Sequence, residues 1–361
     1  MKKNQIKSQA PINCAVVGAS GYAGAQLVTL IHQHPLLRLS ALAVSAASEQ
    51  HQQSFRQLYP NYAGQCPTSG ADNFLSYDEL RASQQWSSIE LVFLATPHEW
   101  SAESVPELLA ENKRVIDLSG AFRLQNAAQF KTFYQFNHPA HEYMRQMAYG
   151  LPELQRAELV DASGVAVAGC YASAATLSLA PLAQQEWLSG PAIINAVSGV
   201  SGAGRKATAA NAFCEVSLAA YAIGAHRHQP EIEQALQHPV IFTPHLGAFT
   251  RGILATTVVP LQRSLTQTQL DEMYHSFYAT ADLVNIVSQP PAIAHVTHTP
   301  FMHLFAKVIR DGRFVEIVAV IDNLMKGAAS GAIQCVNACY QWPDSLGLVN
   351  CFGSIDQLGA A

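Results

Sequence analysis

The residue best suited to chemistry in this chain is a cysteine at a predicted strand-to-helix turn. Val165 to Ala168 is an apolar run typical of a buried strand, and Gly169 and Cys170 follow it directly. Small and apolar residues at helical spacing come next. Free N–H groups and the dipole at a helix start favour negative charge, so we expect the Cys170 thiol to ionise more readily than a free one and to act as a nucleophile. The alternative is an inert, buried cysteine.

A histidine followed three residues later by a carboxylate is the second candidate. The segment from His226 to Glu231 opens a predicted short helix, with Pro230 in its first turn. Glu231 is within reach of orienting the imidazole of His228, which suits that residue to acid–base chemistry. Because the chain has 14 histidines, a pair of surface histidines beside an arginine stays open as the alternative.

Cations occur at two places where a sheet of this kind could hold an anionic substrate. Arg123 stands in a glycine turn just after a predicted strand that ends at Leu118, at the edge where open α/β sheets place ligands. The glycine-serine loop from Ser198 to Lys206 contains Ser201 and Arg205. A surface arginine and a flexible turn are the respective alternatives.

A glycine turn near the start of the chain predicts a dinucleotide site. Strand Ile12 to Val17 leads into Gly18-Ala-Ser20-Gly21-Tyr22-Ala23-Gly24, and a helix and a second strand, Leu37 to Val44, follow. This strand-helix-strand unit brings backbone close to a pyrophosphate at the helix start. The second strand ends in Ser45 and Ser48 with no acid at its tip, so the pattern favours NADP over NAD.

The remaining elements predict two domains. Strands and helices alternate up to Cys170, whereas the later strands read as antiparallel, with an Asp311-Gly312 hairpin turn. A small-residue helix, Met325 to Tyr340, is expected to return to the first domain. We therefore predict an α/β fold: a Rossmann-type NADP-binding domain (1–169 and 326–361) and an α+β catalytic and dimerisation domain (170–325) with a mixed, mainly antiparallel sheet.

Composition narrows the class of protein. The chain has 361 residues, 13% of them charged, with a net charge of −5, which gives no reason to expect nucleic acid as a partner. The N-terminal stretch has no apolar core typical of a signal peptide, and no apolar run is long enough to span a membrane. Seven scattered cysteines without a C-x-x-C pair favour reduced thiols in a cytoplasmic protein, and no metal site is expected.

These parts together describe one chemistry. A cysteine that forms a thioester beside a nicotinamide interconverts an aldehyde and an acyl phosphate. The histidine would handle the proton of the thiohemiacetal oxygen, and an arginine would bind the phosphate.

At this point the sequence resembles the N-acetyl-gamma-glutamyl-phosphate reductase family of arginine biosynthesis, itself related to aspartate-semialdehyde dehydrogenase. The resemblance runs from about residue 12 to 340 and is carried by seven segments: Gly18-Ala-Ser-Gly-Tyr-Ala-Gly24, Asp117-Leu-Ser-Gly-Ala-Phe-Arg123, Gly169-Cys-Tyr171, Val200-Ser-Gly-Ala-Gly-Arg-Lys206, His226-Arg-His-Gln-Pro-Glu-Ile232, Phe242-Thr-Pro-His-Leu-Gly247 and Asp322-Asn-Leu-Met-Lys-Gly-Ala-Ala329.

The resemblance implies NADPH-dependent reduction of N-acetyl-L-glutamyl 5-phosphate to the 5-semialdehyde, with phosphate release, by a homodimer or homotetramer. By position, it implies that Cys170 is the nucleophile and His228 the acid–base, supported by Glu231. Arg123, Arg205 and Ser201 are then expected to bind substrate. The expected cofactor residues are Gly18, Ser20, Gly21, Tyr22, Ala23, Gly24, Ser45, Ser48 and Asn323.

One departure and two rival functions remain. The family usually has prolines where this chain has Ala168 and Ala172; their absence predicts a looser nucleophile turn. A related reductase acting on aspartyl phosphate or on a carrier-bound aminoadipyl phosphate is one rival. A non-catalytic NADP-binding sensor is the other.

Overall fold

The first sheet supplies the edge at which the predicted site residues meet. The computed structural model describes residues 10–66 and 72–349; the N-terminal stretch, residues 67–70 of the predicted loop and Cys351 lie outside this range. Seven parallel strands follow the order β3-β2-β1-β4-β5-β7-β6. They are β1 Ile12–Val17, β2 Leu37–Val44, β3 Phe74–Ser76, β4 Leu91–Leu94, β5 Arg114–Asp117, β6 Ala148–Gly150 and β7 Gly164–Val167.

Helices cover both faces of this sheet, which is why its central strands are continuous apolar runs. They are α1 Tyr22–Gln33, α2 Phe55–Leu58, α3 Tyr77–Ala82, α4 His98–Ala110, α5 Ala127–Tyr134 and α6 Pro152–Leu159. The strand order reverses at β1, where β2 and β4 flank it. Open sheets bind ligands at such a reversal, at the carboxyl ends of the strands.

The second sheet is mixed and mainly antiparallel, as the sequence predicts. Its order is β12-β13-β14-β11-β8-β10-β9. Its elements are α7 Cys170–Gln184, β8 Ala192–Gly199, β9 Ala219–Ala220, α8 His228–Leu236, β10 Val240–Gly247, β11 Ile253–Pro260, α9 Gln267–Phe277, β12 Val284–Ile286, β13 Met302–Ile309 and β14 Phe314–Ile321. The predicted hairpin is present as the antiparallel pair β13–β14.

One strand pairing differs from the expectation. β10 runs four residues beyond the predicted Thr243, to Gly247, and pairs in parallel with β8. The reason is the crossover: helix α8 lies between the two strands in the chain, and a crossover of this kind returns the chain in the same direction. Short 3₁₀ turns occupy Pro60–Tyr62, Trp86–Ser88, His141–Tyr143, Val200–Ala203, Ala209–Asn211 and Ile293–His295.

The segment after β14 returns to the first sheet. The predicted helix from Met325 begins instead as a π-helix, Met325–Ala329, and continues as α10, Ser330–Cys339. Ala332 and Val336 of α10 belong to the same buried cluster as Val16 of β1 and Leu27 of α1. This packing supports the predicted discontinuous first domain, whose boundaries we keep as a prediction. Within the described ranges, no helix has the length and apolarity needed to cross a membrane.

Candidate active site

Cys170 is the first residue of helix α7, directly after strand β7. Gly169 precedes the helix with an extended backbone and provides no capping side chain, so no side chain of that residue caps the first N–H groups of α7. The Cys170 side chain is partly covered by protein. The predicted strand-to-helix turn is therefore present.

The structure does not support the expectation that the Cys170 thiol ionises readily. Burial raises the pKa of the Cys170 thiol, and the Glu231 carboxylate adds to this shift. Arg123, Arg227 and the backbone N–H of Tyr171 act in the opposite direction without overcoming it. Desolvation of the thiolate is the largest of these causes.

Glu231 holds the nucleophile turn more closely than it holds the histidine. Its Oε1 accepts hydrogen bonds from the Gly169 N–H at 2.7 Å and from the Tyr149 hydroxyl at 2.9 Å. Its Oε2 lies 3.6 Å from Nη1 of Arg123 and 4.0 Å from Nε2 of His228. The last distance is too long for a hydrogen bond, so support of His228 by Glu231 stays a prediction that rests on charge and not on a hydrogen bond.

His228 lies against the same turn. A Cβ built on Gly169 would come within 2.4 Å of His228 Nε2, so only glycine allows this approach. Burial, with His226, Arg123, Arg227 and His98 in support, lowers the pKa of His228 well below its ordinary value. A neutral imidazole against the nucleophile turn can accept a proton there.

Arg123 is an internal cation rather than an exposed anion binder. Its Nε donates to the Val167 carbonyl at 2.8 Å and its Nη2 to the Leu118 carbonyl at 2.7 Å. Only Nη1 faces the site, 3.4 Å from His228 Nε2 and 3.6 Å from Glu231 Oε2. The alternative of a surface arginine is excluded. Substrate binding by Arg123 stays a prediction that now rests on this one nitrogen.

Arg205 and Ser201 lie at a second part of the cleft. They line a cavity of about 520 Å³ that also contains Tyr22 of helix α1. Arg205 lies over the Tyr59 ring, with its guanidinium carbon 5.8 Å from the centroid. Ser201 Oγ accepts a 3.0 Å hydrogen bond from Asn323 Nδ2, so a predicted substrate residue and a predicted cofactor residue are direct partners.

The glycine turn has the form that a pyrophosphate requires. Gly18 has φ +85°, and a Cβ there would meet the Ala95 carbonyl oxygen at 2.2 Å; a Cβ on Gly24 would meet the Gly18 oxygen at 2.3 Å. Gly21 precedes helix α1 without a capping side chain. Two glycines are thus needed for the turn itself, and the third leaves the helix N–H groups open to an anion.

Ser45 follows strand β2 directly, and Ser48 comes three residues later. In dinucleotide-binding folds the residues at this strand end contact the ribose. The Ser45 hydroxyl is exposed and accepts from the Ala47 N–H at 3.3 Å. The turn is further held by Tyr59, whose hydroxyl donates to the Ser20 carbonyl at 2.8 Å. These residues fit a cofactor with a 2′-phosphate, because hydroxyls can donate to it and no carboxylate at these two positions repels it.

Sequence reasoning missed several residues of this site. Tyr149 lies on β6, a strand too short to read from the pattern, and its role is visible only through Glu231. Gly327 of the π-helix packs on the nucleophile: a Cβ there would lie 2.7 Å from Cys170 Cβ. The signal for Gly327 was present, since its small-residue segment predicts close packing. Among the described residues, no group of three or more His, Cys, Asp or Glu could hold a metal ion.

Comparison with known proteins gives the family. A model of the semialdehyde dehydrogenase NAD binding domain matches residues 13–162, and one of the semialdehyde dehydrogenase dimerisation domain matches residues 170–323. N-acetyl-gamma-glutamyl-phosphate reductase of Alteromonas mediterranea is 44% identical over 337 residues, covering 93% of this chain and 98% of the relative. The enzyme of Aeromonas salmonicida is 42% identical, covering 94% and 100%.

The chain belongs to the N-acetyl-gamma-glutamyl-phosphate reductase family. Membership of this family makes it an oxidoreductase that uses NADP(H). The resemblance read from the seven segments is therefore confirmed.

The fold of this reductase is shared with solved structures. Aspartate semialdehyde dehydrogenase II of Vibrio cholerae, complexed with ASA, superposes with a TM-score of 0.68 at 15% identity, covering 91% of this chain and 98% of that one. A probable aspartate-semialdehyde dehydrogenase of Pseudomonas aeruginosa gives 0.67 at 20% identity, with the same coverage. At these identities the likeness concerns the fold.

Proposed function

We propose that Cys170 is the nucleophile in NADPH-dependent reduction of N-acetyl-L-glutamyl 5-phosphate to N-acetyl-L-glutamate 5-semialdehyde. The observation that carries this proposal is the turn at Gly169, where the start of helix α7, the Glu231 carboxylate and the His228 imidazole meet within hydrogen-bond or contact distance of one residue. An inert structural cysteine would need none of these polar groups beside it.

The reaction begins with attack of the Cys170 sulfur on the acyl carbon. The C–S bond forms, the C–O bond to phosphate breaks, and inorganic phosphate leaves with the electron pair of that bond. His228, which the site keeps neutral, accepts the thiol proton during the attack itself. The raised pKa of the thiol and the lowered pKa of the imidazole disfavour a transfer that precedes the attack. The nearby Glu231 carboxylate, 4.0 Å away, stabilises the imidazolium that results.

The second half of the reaction releases the aldehyde. When bound, NADPH supplies the hydride that reduces the thioester carbonyl. His228 then donates its proton to the thiohemiacetal oxygen. On collapse it takes this proton back as the C=O bond re-forms, and it passes the proton to the Cys170 sulfur as the C–S bond breaks, which gives the semialdehyde and the thiol. The residues that would hold the cofactor are those of the glycine turn, Ser45, Ser48 and Asn323.

Substrate recognition is divided between two cations in this proposal. Arg123 Nη1 faces the nucleophile turn and suits the phosphate that departs there. Arg205 lies outside that turn, at the cavity with Ser201, and suits a carboxylate of the acetylated glutamyl group. These roles and the choice of substrate follow from the family relationship and the arrangement of charges.

We propose that the partner of this chain is a second copy of itself. We also propose that the protein works in the cytoplasm. One face of the second sheet packs on its helices through residues such as Ala192 and Ile194, whereas the opposite face leaves Ile193 46% and Ile241 54% exposed. These two residues are neighbours in the β8–β10 register. Paired apolar side chains on an uncovered face suit a homodimer. Light scattering should give a dimer, with Ile241→Lys weakening it and the loop variant Ile223→Lys leaving it intact.

The assay that tests the function runs the reaction backward. Purified protein receives N-acetylglutamate semialdehyde and NADP⁺, with and without phosphate, and NADPH absorbance is followed. We expect phosphate-dependent NADPH formation that is absent in Cys170→Ser. Activity on aspartate semialdehyde alone would identify the related reductase instead. NADP⁺ binding with no turnover on either aldehyde would favour the sensor.

A further inference from the structure

Arg251 has no role in the proposed reaction, yet its side chain joins the turn that carries it to Asp322 and to helix α1. It lies in the turn between β10 and β11, and its side chain is 10% exposed. Nε lies 3.1 Å from Oδ2 of Asp322, and Nη2 donates to Oδ1 of Asp322 at 3.3 Å. Nη2 also donates to Oε1 of Gln26 at 2.9 Å. Gln26 belongs to helix α1 of the first domain, one turn after Tyr22, the first residue of that helix.

The first partner, Asp322, fixes the crossover between the two domains. It is fully buried, and its Oδ1 accepts from the N–H groups of Leu324 at 2.8 Å and Met325 at 3.1 Å. Its Oδ2 accepts from the His298 N–H at 2.7 Å, and Arg251 Nη1 lies 2.9 Å from His298 Nδ1. Arg251 is therefore anchored to the segment that leads from β14 into the π-helix behind Cys170.

The second partner, Gln26, is held with its oxygen toward the arginine. Its Nε2 donates to Thr29 Oγ1 at 3.1 Å, and its Oε1 also lies 3.4 Å from the Tyr62 hydroxyl. The side chain is 8% exposed. A buried amide with both ends engaged specifies one orientation and one distance.

Backbone hydrogen bonds join the turn that contains Arg251 to the loop that contains the predicted substrate residue Ser201. The Val200 N–H donates to the Phe249 carbonyl at 2.9 Å, and the Ser201 N–H donates to the Thr250 carbonyl at 3.1 Å. The Gly252 N–H donates to Asn323 Oδ1 at 2.7 Å. Arg251 thus ties helix α1 to the Val200–Ala203 loop, and residues of both line the 520 Å³ cavity.

We propose that Arg251 is a positioning residue that sets the distance between the glycine-turn helix and the Val200–Ala203 loop, and so the affinity for NADPH. The proposal rests on the proposed function only in taking the glycine turn as the cofactor site. A dinucleotide bound at the start of α1 would lie beside the cavity that Tyr22 and Gln26 of this helix share with Ser201 of the loop. Binding energy is lost when the helix and the loop are no longer held at one separation, because the ligand must then order them itself.

The test measures NADPH affinity directly, by fluorescence titration of the full chain. Arg251→Lys keeps the charge beside Asp322 but loses the planar fork that reaches Gln26. We expect it to weaken binding about tenfold, and Gln26→Leu about threefold. Because both act on one contact, the double variant should bind no more weakly than Arg251→Lys alone. Matched controls are Gln33→Leu, at the exposed far end of the same helix, and Arg263→Lys, which lies over Trp187.

A second readout separates positioning from loss of fold. Alkylation of Cys170 without cofactor should proceed at the unsubstituted rate, while the NADPH concentration that protects it should rise by the factor seen in the titration. Unchanged affinity in both variants, or additive losses in the double variant, would overturn the proposal. A chain that binds NADPH normally but turns over no acyl phosphate would count against the proposed function and leave this inference standing.

Discussion

The amide N–H of Gly169 donates a 2.7 Å hydrogen bond to Oε1 of Glu231, so a carboxylate of helix α8 holds the turn that presents the nucleophile. The same carboxylate faces Arg123 and His228 through its other oxygen. The reactivity of the thiol and the position of the turn therefore both depend on the buried Glu231 side chain. Substitutions that change its charge but keep its hydrogen bond can separate the two effects.

The first prediction concerns opposite effects of two buried charges on Cys170. Glu231 raises the pKa of the thiol and Arg123 lowers it. Glu231→Gln keeps an oxygen for Gly169 but removes the charge, so alkylation by iodoacetamide near pH 7 should accelerate, because a larger fraction of the thiol is ionised. Turnover should fall roughly tenfold or more, because protonated His228 loses its stabilising neighbour.

Arg123→Gln should slow the alkylation instead. Glu233→Gln, on the same helix but bonded to Gln229 and Val240, is the control and should change neither rate. Alkylation that slows in Glu231→Gln would contradict the charge argument.

Two glycines of the cofactor turn should respond differently to alanine. A Cβ on Gly21 would meet nothing closer than the Gly18 oxygen at 3.5 Å, whereas one on Gly18 would overlap the Ala95 carbonyl. We expect Gly21→Ala to keep its melting temperature and to bind NADPH more weakly, because a methyl group lies where the pyrophosphate approaches. Gly18→Ala should lose stability itself, since φ is +85°. Equal melting losses in both variants would refute this distinction.

Ala168 and Ala172, which stand where the resemblance implies prolines, are not equivalent in the structure. The Ala168 N–H donates to the Gly150 carbonyl at 3.1 Å, and proline would remove this bond. Ala172 is the third residue of α7, where the N–H has no acceptor one turn earlier. Ala172→Pro should stabilise the protein by about 0.4–1 kcal/mol in urea unfolding. Ala168→Pro should gain nothing, because the lost hydrogen bond costs about 1 kcal/mol.

Neutral buried histidines should make the protein sensitive to mild acid. Burial lowers the pKa of His34 from 6.5 to about 4, and the pKa values of His226 and His98 fall to about 4 and about 3 through burial and nearby arginines. The unfolded chain then binds more protons than the folded one below pH 6.5, so stability falls as the pH decreases toward 4.

His34 isolates this effect, because it lies 3.1 Å from Asn337 Oδ1 and away from the nucleophile turn. Between pH 7.5 and 5.5 it should account for about 1 kcal/mol of lost stability, and His34→Gln should reduce the loss by that amount in urea titrations at the two pH values. A variant with the unsubstituted pH dependence would contradict the predicted shift.

Local patterns predicted the first half of the fold closely. β1 and β2 were predicted with the bounds Ile12–Val17 and Leu37–Val44 that the structure has, since long apolar runs bounded by glycine or proline are unambiguous. The strands β3 and β6, with three residues each, have no such signal. The sequence pattern predicts an ordinary helix at Met325, because over five residues the periodicity of a π-helix cannot be distinguished from that of an α-helix.

The sequence predicted which residues form the site more reliably than it predicted what each of them does. The turn at Cys170 and the helix at His228 are where the sequence placed them. The protonation of Cys170 and the partners of Glu231 depend on burial and on contacts with Tyr149 and Arg123 from distant parts of the chain. No spacing within one segment reveals these contacts.

The central claim is a thioester at Cys170, and the most direct measurement follows phosphate release without NADPH. Stoichiometric N-acetylglutamyl phosphate is mixed with the protein, phosphate is measured in the first turnover, and the digest is searched by mass spectrometry for an acylated cysteine. We predict a burst of about one phosphate per chain and an adduct on Cys170, both absent in Cys170→Ser. Phosphate released only after NADPH is added, or an equal burst in Cys170→Ser, would contradict the account.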